Sequence, residues 1–140
     1  MKTYSEIDII LNKESGLLGI SGVSSDARDI EDGIKQGNER CILANKMYVR
    51  RVIDYIAKYY VEMKGCDAII FTAGVGENGI QTRKEVLDEL KVLGVLIDEE
   101  ANNCRGKEVC ITKKESKIPV YVIPTDEELM IARDTYELVK

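Results

Sequence analysis

The stretch that most constrains the fold of this chain is CDAIIFTAGVGENG, from Cys66 to Gly79. Ala68–Phe71 is a short unbroken apolar run, which is typical of a parallel strand buried on both faces. A glycine-rich segment follows at once, and Gln81–Leu90 then has the pattern of a helix. Glycines let the backbone approach a ligand closely, and a helix start offers unpaired N–H groups with partial positive charge. We therefore predict that this turn forms one wall of a nucleotide site.

The composition is that of a folded protein with an acidic balance. Of 140 residues, 44% are hydrophobic and 32% are charged, so the chain can bury a core and is not disordered by composition. Its length fits one domain or part of one. The net charge of −5 disfavours general binding to nucleic acid or to an anionic membrane. Neither a membrane-spanning apolar run nor a signal-peptide pattern is found in the sequence, so we expect a cytoplasmic protein.

Cysteine spacing and the lack of histidine narrow the chemistry further. Cys41, Cys66, Cys104 and Cys110 show no CxxC spacing and the sequence has no histidine, so a zinc site is not expected. We interpret the cysteines as reduced, structural thiols. Without histidine, the chain also contains no Ser–His or Cys–His nucleophile pair.

Capping signals and hydrophobic spacing predict helices on both sides of the central stretch. Thr3 with Glu6, and Thr125 with Glu128, each fit a capping box. The predicted helices run from Thr3 to near Gly16, from Asp26 to about Gln36 with Ser24 or Ser25 as the cap, from Glu39 to Lys64, and from Thr125 to Val139. The last helix is expected to bury Leu129, Ile131, Ala132, Thr135, Leu138 and Val139.

Two further segments have patterns that identify their local structure. Val109–Thr112 and Val120–Ile123 alternate or run apolar around a turn-like KKESKIP, which predicts an antiparallel hairpin. LLGISGVSSD, at residues 17–26, carries regularly spaced glycines without a GK[ST] sequence, so it is not a Walker loop. We interpret it as a turn-rich connection.

Arg28 is the unusual charge at the start of the second predicted helix. Asp26 and Asp29 suit the positive end of the helix dipole, whereas a cation there is electrostatically unfavourable. A cation at this place invites an anionic or stacked partner. Arg28 is therefore a candidate binding residue.

The two predicted strand-then-helix units are expected to open on the same edge of one sheet. If Cys66–Thr72 and Ile118–Ile123 lie side by side and parallel, ligands bind at their carboxyl edge. The residues placed along this crevice are Gly74, Gly76, Asn78, Asp126 and Glu127. Glu127 has no role in the predicted capping box, and a carboxylate beside a phosphate site is a typical Mg²⁺ ligand, held directly or through water.

A dinucleotide site is the alternative that the residues leave open. GVGENG is literally GxGxxG after a strand, and Asp98 lies ~20 residues on, as that fingerprint requires. Glu77, however, would put a negative charge where the pyrophosphate should sit. The motif also normally begins its domain, whereas largely helical sequence precedes it here, and no segment downstream offers a hydride-transfer site.

Three segments together closely resemble acetate kinases. They are LNKESGLLGISGVSSDARD at Leu11–Asp29, FTAGVGENG at Phe71–Gly79 and PTDEELMIARDT at Pro124–Thr135, in the family's order and spacing. The similarity covers essentially the whole chain but only about the C-terminal third of such an enzyme, beginning inside its second domain. The resemblance implies a partial actin-like ATPase (ribonuclease H-like) α/β domain, with a short mixed sheet and flanking helices, and an enzyme whose N-terminal domain is absent here.

The resemblance also implies a reaction and a set of site residues. The reaction is reversible phosphoryl transfer from ATP to acetate, giving acetyl phosphate and ADP, with Mg²⁺ required; propionate is the alternative acceptor. Glu127 would help to position the metal. The residues that would line the adenosine pocket are Asp26, Ala27, Arg28, Gly74, Val75, Gly76 and Asn78. Ala27 departs from the bulkier, often aromatic residue of the family, which implies looser packing against the adenine.

In the family, the groups that grip acetate and stabilise the transferring phosphoryl group, together with the catalytic aspartate, lie upstream of this segment. The expectation is therefore a chain that holds no catalytic residue and is inactive alone. An open sheet edge and exposed apolar surface are also expected, which favour self-association. The resemblance separately implies a dimer. A non-catalytic nucleotide-binding or interaction module remains a third interpretation.

Overall fold

The structure is a computed structural model that describes residues 2–140, and it divides into two units. One unit ends at Val61, and the other runs from Glu62 to Lys140. The first contains helices only, and the second contains the sheet. No helix within residues 2–140 is both long enough and apolar enough to cross a membrane.

The first unit consists of four helices. They are α1 (Tyr4–Lys13), α2 (Gly16–Ser21), α3 (Ala27–Lys35) and α4 (Glu39–Glu62). The predicted capping box at α1 is confirmed, because Thr3 accepts a hydrogen bond from the Glu6 N–H while the Glu6 carboxylate accepts from the Thr3 N–H.

Two predictions in this unit were wrong in detail. Part of the expected turn-rich connection is helical: α2 ends at Ser21 and is capped by Gly22, whose φ of 68° is the left-handed conformation that glycine tolerates. The cap of α3 is Asp26, whose carboxylate accepts from the Arg28 N–H at 2.9 Å, and not Ser24 or Ser25. Ser24 instead accepts from the Asp26 N–H and orients the chain before the helix.

A close approach of α3 and α4 forms the buried centre of this unit. Ile30, Cys41, Ala44 and Val49 are all buried there. Gly33 is required at this contact, because a Cβ at that position would lie 2.5 Å from the sulfur of Cys41.

The second unit surrounds a three-stranded mixed sheet. Its strands are β1 (Ile69–Phe71), β2 (Val109–Cys110) and β3 (Val120–Val122), and its helices are α5 (Ala73–Asn78), α6 (Ile80–Glu89), α7 (Glu99–Asn102) and α8 (Glu127–Val139). A 3₁₀ turn over Leu90–Leu93 follows α6. Its buried apolar residues include Val86, Leu87, Leu90, Val95, Ile111, Val120 and Val122.

The sheet has the order β1-β3-β2, and both predicted pairings are confirmed. β1 runs parallel to β3 with Phe71 opposite Val122, and β2 runs antiparallel to β3 with Cys110 opposite Tyr121. The expected burial of β1 on both faces was wrong, since Ile70 is 55% exposed. Ile69 and Phe71, which point to the opposite face, are half-buried and buried, so within residues 2–140 only one face of β1 is covered. In the described residues β1 also lies at an edge of the sheet and pairs with β3 only.

Two helices leave their apolar residues exposed. Neither α1 nor α8 has a buried residue. The burial predicted for α8 was therefore wrong: Ile131 is 65% and Leu138 is 87% exposed. An apolar stripe shows that a helix has a face to bury, but not that the covering surface lies in the same stretch of chain.

Candidate functional site

The carboxyl ends of β1 and β3 meet at one edge of the sheet, as predicted. The pairing continues beyond the strands, because the Ile123 N–H donates to the carbonyl of Phe71 at 3.0 Å. Thr72 then leads into α5, and Thr125 and Asp126 lead into α8. Both helices thus begin at the edge where ligands of open α/β sheets bind.

Four residues at this edge, which we call the Thr125 cluster, tie α5 to the start of α8. The cluster comprises Thr72, Ala73, Glu77 and Thr125. The N–H and the hydroxyl of Thr125 both donate to Oε1 of Glu77, each at 2.8 Å. The Thr125 hydroxyl oxygen also lies 3.2 Å from the Ala73 N–H nitrogen and 3.2 Å from the Thr72 hydroxyl.

The direction of every hydrogen bond in the Thr125 cluster follows from the number of protons available. The Thr125 hydroxyl has one proton, which goes to the Glu77 carboxylate, so the Thr72 hydroxyl must be a donor to it. The hydrogen bonds from the backbone and then the side chain of Thr125 lower the pKa of Glu77 below its ordinary value. Glu77 is therefore a carboxylate at neutral pH and accepts both donors.

The segment expected to be an open glycine-rich turn is instead the short helix α5. Its glycines have different roles. Gly79 is required for packing, because a Cβ there would lie 2.6 Å from the carbonyl oxygen of Val75, and a Cβ on Gly76 would lie 3.3 Å from the carbonyl carbon of Phe71. Gly74 is exposed, and a Cβ there would meet no atom within 4 Å. Only Gly74 is thus left open to a ligand.

Two of the predicted nucleotide-binding residues share one exposed face of α5. Gly74 and Asn78 are four positions apart, which is about one helical turn. The Asn78 side-chain amide donates to the Gly74 carbonyl at 3.0 Å. Val75 and Gly76 lie beside them and are half-buried.

Ala73, the first residue of α5, has an unusual backbone conformation. Its φ is 57°, in the left-handed region that residues other than glycine seldom adopt. The hydrogen bond from its N–H to Thr125 stabilises this conformation. The Thr125 cluster therefore also fixes the direction in which α5 leaves the strand.

Sequence reasoning missed Arg83, whose side chain is completely buried. Its five N–H donors meet five oxygens, and none of these belongs to a carboxylate. The acceptors are Oδ1 and the carbonyl of Asn102, and the carbonyls of Gly76, Glu77 and Cys104, at 2.8–2.9 Å. Burial lowers the pKa of this guanidinium. Arg83 thus holds the C-terminal carbonyls of α5, at the end of the helix opposite to Ala73.

Asp98 caps a helix in the structure. This argues against the dinucleotide alternative, which uses Asp98 as the acidic residue of its fingerprint. Oδ1 of Asp98 accepts from the N–H groups of Glu100 and Ala101, both at 3.1 Å, and so caps α7. In addition, the GxGxxG segment is helical where a pyrophosphate loop was required.

The remaining predicted adenosine-binding residues lie together in the first unit, at the start of α3. Arg28 forms a forked ion pair with Asp26, with Nη2 to Oδ2 at 2.6 Å and Nε to Oδ1 at 3.1 Å. This pair, chiefly through the Arg28 side chain, lowers the pKa of Asp26 to about 2. The cation that looked unfavourable at a helix start is thus balanced by the cap itself. Ala27 is half-buried beside them.

Glu127 is suited to a Mg²⁺ ion whose other ligands are water and phosphate oxygens. It is the first residue of α8 and is exposed. Asp126 next to it caps the helix through the Leu129 N–H, so the predicted Thr125–Glu128 capping box was wrong. Over residues 2–140, no three acidic, cysteine or histidine side chains are grouped to hold a metal. One carboxylate with waters and phosphate oxygens suits Mg²⁺, which seldom uses an all-protein cage.

An open groove between α2 and α4 in the first unit contains none of the predicted site residues. Its volume is about 560 Å³, and its walls include Leu17, Ile20, Ala44 and Met47. Lys46, Arg50, Arg51 and Asp54 also line the groove, but its exposed surface is mostly apolar, so we do not assign it to a charged nucleotide.

Comparison with known proteins gives consistent results. The model of the acetokinase family matches residues 1–133. The acetate kinase of Halothermothrix orenii is 51% identical over 135 residues, which are 96% of this chain and 34% of that protein. The crystal structure of Porphyromonas gingivalis acetate kinase matches with a TM-score of 0.91 and 48% identity, over 99% of this chain and 35% of that one. A propionate kinase from Francisella tularensis matches with a TM-score of 0.84 and 38% identity, over 94% of this chain and 33% of that one.

The comparisons confirm the predicted fold class. These structural relatives have the actin-like ATPase fold, and the part represented here is an α/β segment with a short mixed sheet and flanking helices. The chain spans about a third of the length of the curated relatives that it matches.

Proposed function

This chain belongs to the acetokinase family, and from that premise we propose that it forms the adenosine-binding part of an acetate kinase. The complete enzyme transfers a phosphoryl group reversibly from ATP to acetate, giving acetyl phosphate and ADP. The chain represents the C-terminal part of the second, nucleotide-binding domain, and its partner is the remaining part of the enzyme. We expect this enzyme to act in the cytoplasm.

The observation that carries the proposal is the shared edge of β1 and β3. It brings the first residues of α5 and α8 to one side of the sheet, joined through Thr125 and Glu77. Exposed Gly74 and Asn78 offer a surface without bulky side chains, on which an adenosine can lie against the backbone. The fold family alone would not support a nucleotide site, since function depends on the site.

The residues of the first unit have a complementary role in the proposal. The family resemblance adds Asp26, Ala27 and Arg28, at the start of α3, to the proposed adenosine-binding residues. Arg28 is anchored by Asp26 at 2.6 Å and still has an exposed guanidinium face, which suits stacking on a base.

In this proposal Glu127 would hold Mg²⁺, directly or through water, beside the phosphates of the nucleotide. When bound, the ion neutralises charge that develops on the phosphates. This chain provides one anionic ligand for it, at the start of α8.

The isolated chain is proposed to bind nucleotide without catalysing phosphoryl transfer. In-line transfer needs charge stabilisation on both sides of the γ-phosphate and a positioned acceptor. In this proposal the chain supplies the groups on the nucleotide side, and the remaining part of the enzyme supplies those that hold the acceptor and stabilise the transferring phosphoryl group. The sequence given contains no histidine.

Propionate is the second candidate acceptor. It is favoured by one specific observation, the 38% identity with a solved propionate kinase. Because acetate and propionate differ by one methylene, the acceptor pocket alone can discriminate between them. The nucleotide-side roles given to Gly74, Asn78 and Glu127 are the same for either acceptor.

Calorimetric titration of the 140-residue chain tests the proposal. ADP and ATP with Mg²⁺ are expected to bind, and NAD is not. Asn78→Ala and Arg28→Ala should each weaken the binding, whereas the matched changes Asn103→Ala and Arg133→Ala, at other exposed positions, should not. Binding of NAD in preference to ADP would revive the dinucleotide alternative, and the absence of any nucleotide binding would overturn the proposal.

A further inference from the structure

The Thr125 cluster connects two sites that the proposed function assigns to different parts of the ligand. Glu127, the metal ligand, is two residues beyond Thr125, in the first turn of α8. Gly74 and Asn78, which face the nucleotide, are in α5, the helix whose first residue is Ala73. The Thr125 hydroxyl and N–H contact α5 at both Ala73 and Glu77.

This arrangement is more specific than ordinary helix capping requires. Asp126 already caps α8 through the Leu129 N–H at 2.9 Å, so Thr125 is not needed for that purpose. Ala73 is also held at a φ of 57°, a conformation that persists where surrounding contacts impose it. The hydroxyl that accepts from Ala73 is the one that donates to Glu77, so loss of this side chain removes the contact with Ala73 and one of the two hydrogen bonds to Glu77, while the Thr125 N–H bond to Glu77 remains. The start of α8 is then held less firmly against α5, whereas the face formed by Gly74 and Asn78 keeps its own hydrogen bond.

We propose that Thr125 is a positioning residue that couples Mg²⁺ binding at Glu127 to nucleotide binding on α5. The inference rests on the proposed function. Thr125 touches neither ligand in this scheme. It fixes the start of α8 relative to α5, so that the carboxylate of Glu127 and the face formed by Gly74 and Asn78 meet the same Mg²⁺–nucleotide complex. Because binding free energies are reciprocal, each ligand then raises the affinity for the other by the same factor.

The test measures the affinity of the chain for a fluorescent ADP analogue, with saturating Mg²⁺ and with EDTA. We expect Mg²⁺ to raise the affinity of the unaltered chain about fivefold or more, the lower end of typical coupling. Thr125→Val keeps the shape but removes the hydroxyl. It should bind the nucleotide in EDTA as the unaltered chain does, while its gain from Mg²⁺ falls below about twofold.

Matched variants separate positioning from a general structural effect. Thr125→Ser keeps the hydroxyl and should restore the gain from Mg²⁺. Thr135→Val makes the same chemical change at an exposed position of α8 and should have no effect. Glu127→Gln should abolish the gain, since it removes the metal ligand. If Thr125→Val does not fold, Glu77→Gln is used instead. This change keeps the size of the side chain but removes the negative charge that accepts both hydrogen bonds from Thr125, so the gain in nucleotide affinity from Mg²⁺ should fall.

The outcomes distinguish this inference from the proposed function. A full gain from Mg²⁺ in a folded Thr125→Val variant, or in Glu77→Gln where it stands in, would overturn the inference and leave the nucleotide site intact. If Thr125→Val weakened nucleotide binding equally with and without Mg²⁺, the inference would also be overturned, because Thr125 would then be merely structural. If the unaltered chain binds no nucleotide under either condition, the proposed function fails, and the inference fails with it.

Discussion

Arg83 donates two hydrogen bonds to Asn102 in the interior of the second unit. Arg83 Nε donates to Asn102 Oδ1, and Arg83 Nη2 to the Asn102 carbonyl, both at 2.8 Å. The Asn102 amide in turn donates to the carbonyl of Ile80 at 3.0 Å. Both side chains are buried, so this pair joins α6 and α7, and Arg83 also holds two carbonyls of α5.

We expect Arg83→Lys to lower the free energy of unfolding by about 2–4 kcal/mol, although it keeps the charge. Lysine has three donors on a point charge, whereas arginine has five donors in a rigid fork, so buried carbonyls would lose their partners. Chemical denaturation checks this value. Arg133→Lys, on the exposed face of α8, is the control and should change stability by less than about 0.5 kcal/mol. A loss no larger in Arg83→Lys than in the control would show that the network does not stabilise the fold.

The parts of the fold that follow from local patterns could be predicted from the sequence. Ile69–Phe71 and Val120–Val122 are apolar runs bounded by turn residues, and their parallel pairing follows from the helices after them. The role of Arg83 could not be predicted, because its acceptors are carbonyls of α5 and α7 that only the folded chain brings together. In the sequence, Arg83 stands among other charged residues, and an arginine in such a helical segment indicates a solvent-exposed face.

The candidate site was predicted at the level of the sheet edge but not of its contacts. Thr125 fits the first position of a capping box, yet Asp126 beside it is the cap, and either residue type is favoured there. The GxGxxG spacing indicates a loop, whereas Gly76 and Gly79 are there for close packing within and around α5. Sequence spacing identifies that glycine is needed, but not whether a ligand or the protein itself fills the space.

Gly74→Ala should separate folding from nucleotide binding. Because a Cβ at Gly74 would meet no atom within 4 Å, we expect the substitution to leave stability unchanged or raise it by about 0.5–1 kcal/mol. A nucleotide lying on that face would meet the new methyl group, which should weaken ADP binding about tenfold or more. Thermal unfolding and calorimetric titration measure the two effects.

Gly79→Ala is the contrasting variant, and we expect it to be unstable. Its Cβ would lie 2.6 Å from the carbonyl oxygen of Val75, so the cost should be about 1–3 kcal/mol. Unweakened ADP binding by a stable Gly74→Ala variant would show that the nucleotide does not contact this position.

The Asp26–Arg28 ion pair should make stability depend on pH in the acid range. The pKa of Asp26 is lowered from 3.8 to about 2, chiefly by the side chain of Arg28. A carboxyl with a depressed folded-state pKa stabilises the fold above its unfolded value, and this contribution is lost as the pH falls from 3.8 towards 2. In Arg28→Gln, NMR titration should show a higher pKa for Asp26, still below 3.8 because the backbone N–H continues to donate. An unchanged pKa would mean that the pair does not form in solution.

The exposed apolar faces predict self-association of the 140-residue chain. Ile131 is 65% and Leu138 is 87% exposed on α8, and β1 presents an edge at which Ile70 is 55% exposed. Such surfaces favour pairing with another chain. Light scattering over a wide concentration range should give a mass above that of the monomer, rising with concentration. The double change Ile131→Glu and Leu138→Glu should reduce the mass without unfolding, because neither residue is buried. Thr135→Glu, which adds charge at a polar position of the same helix, should have a smaller effect. A monomer at every concentration would show that these faces do not mediate association.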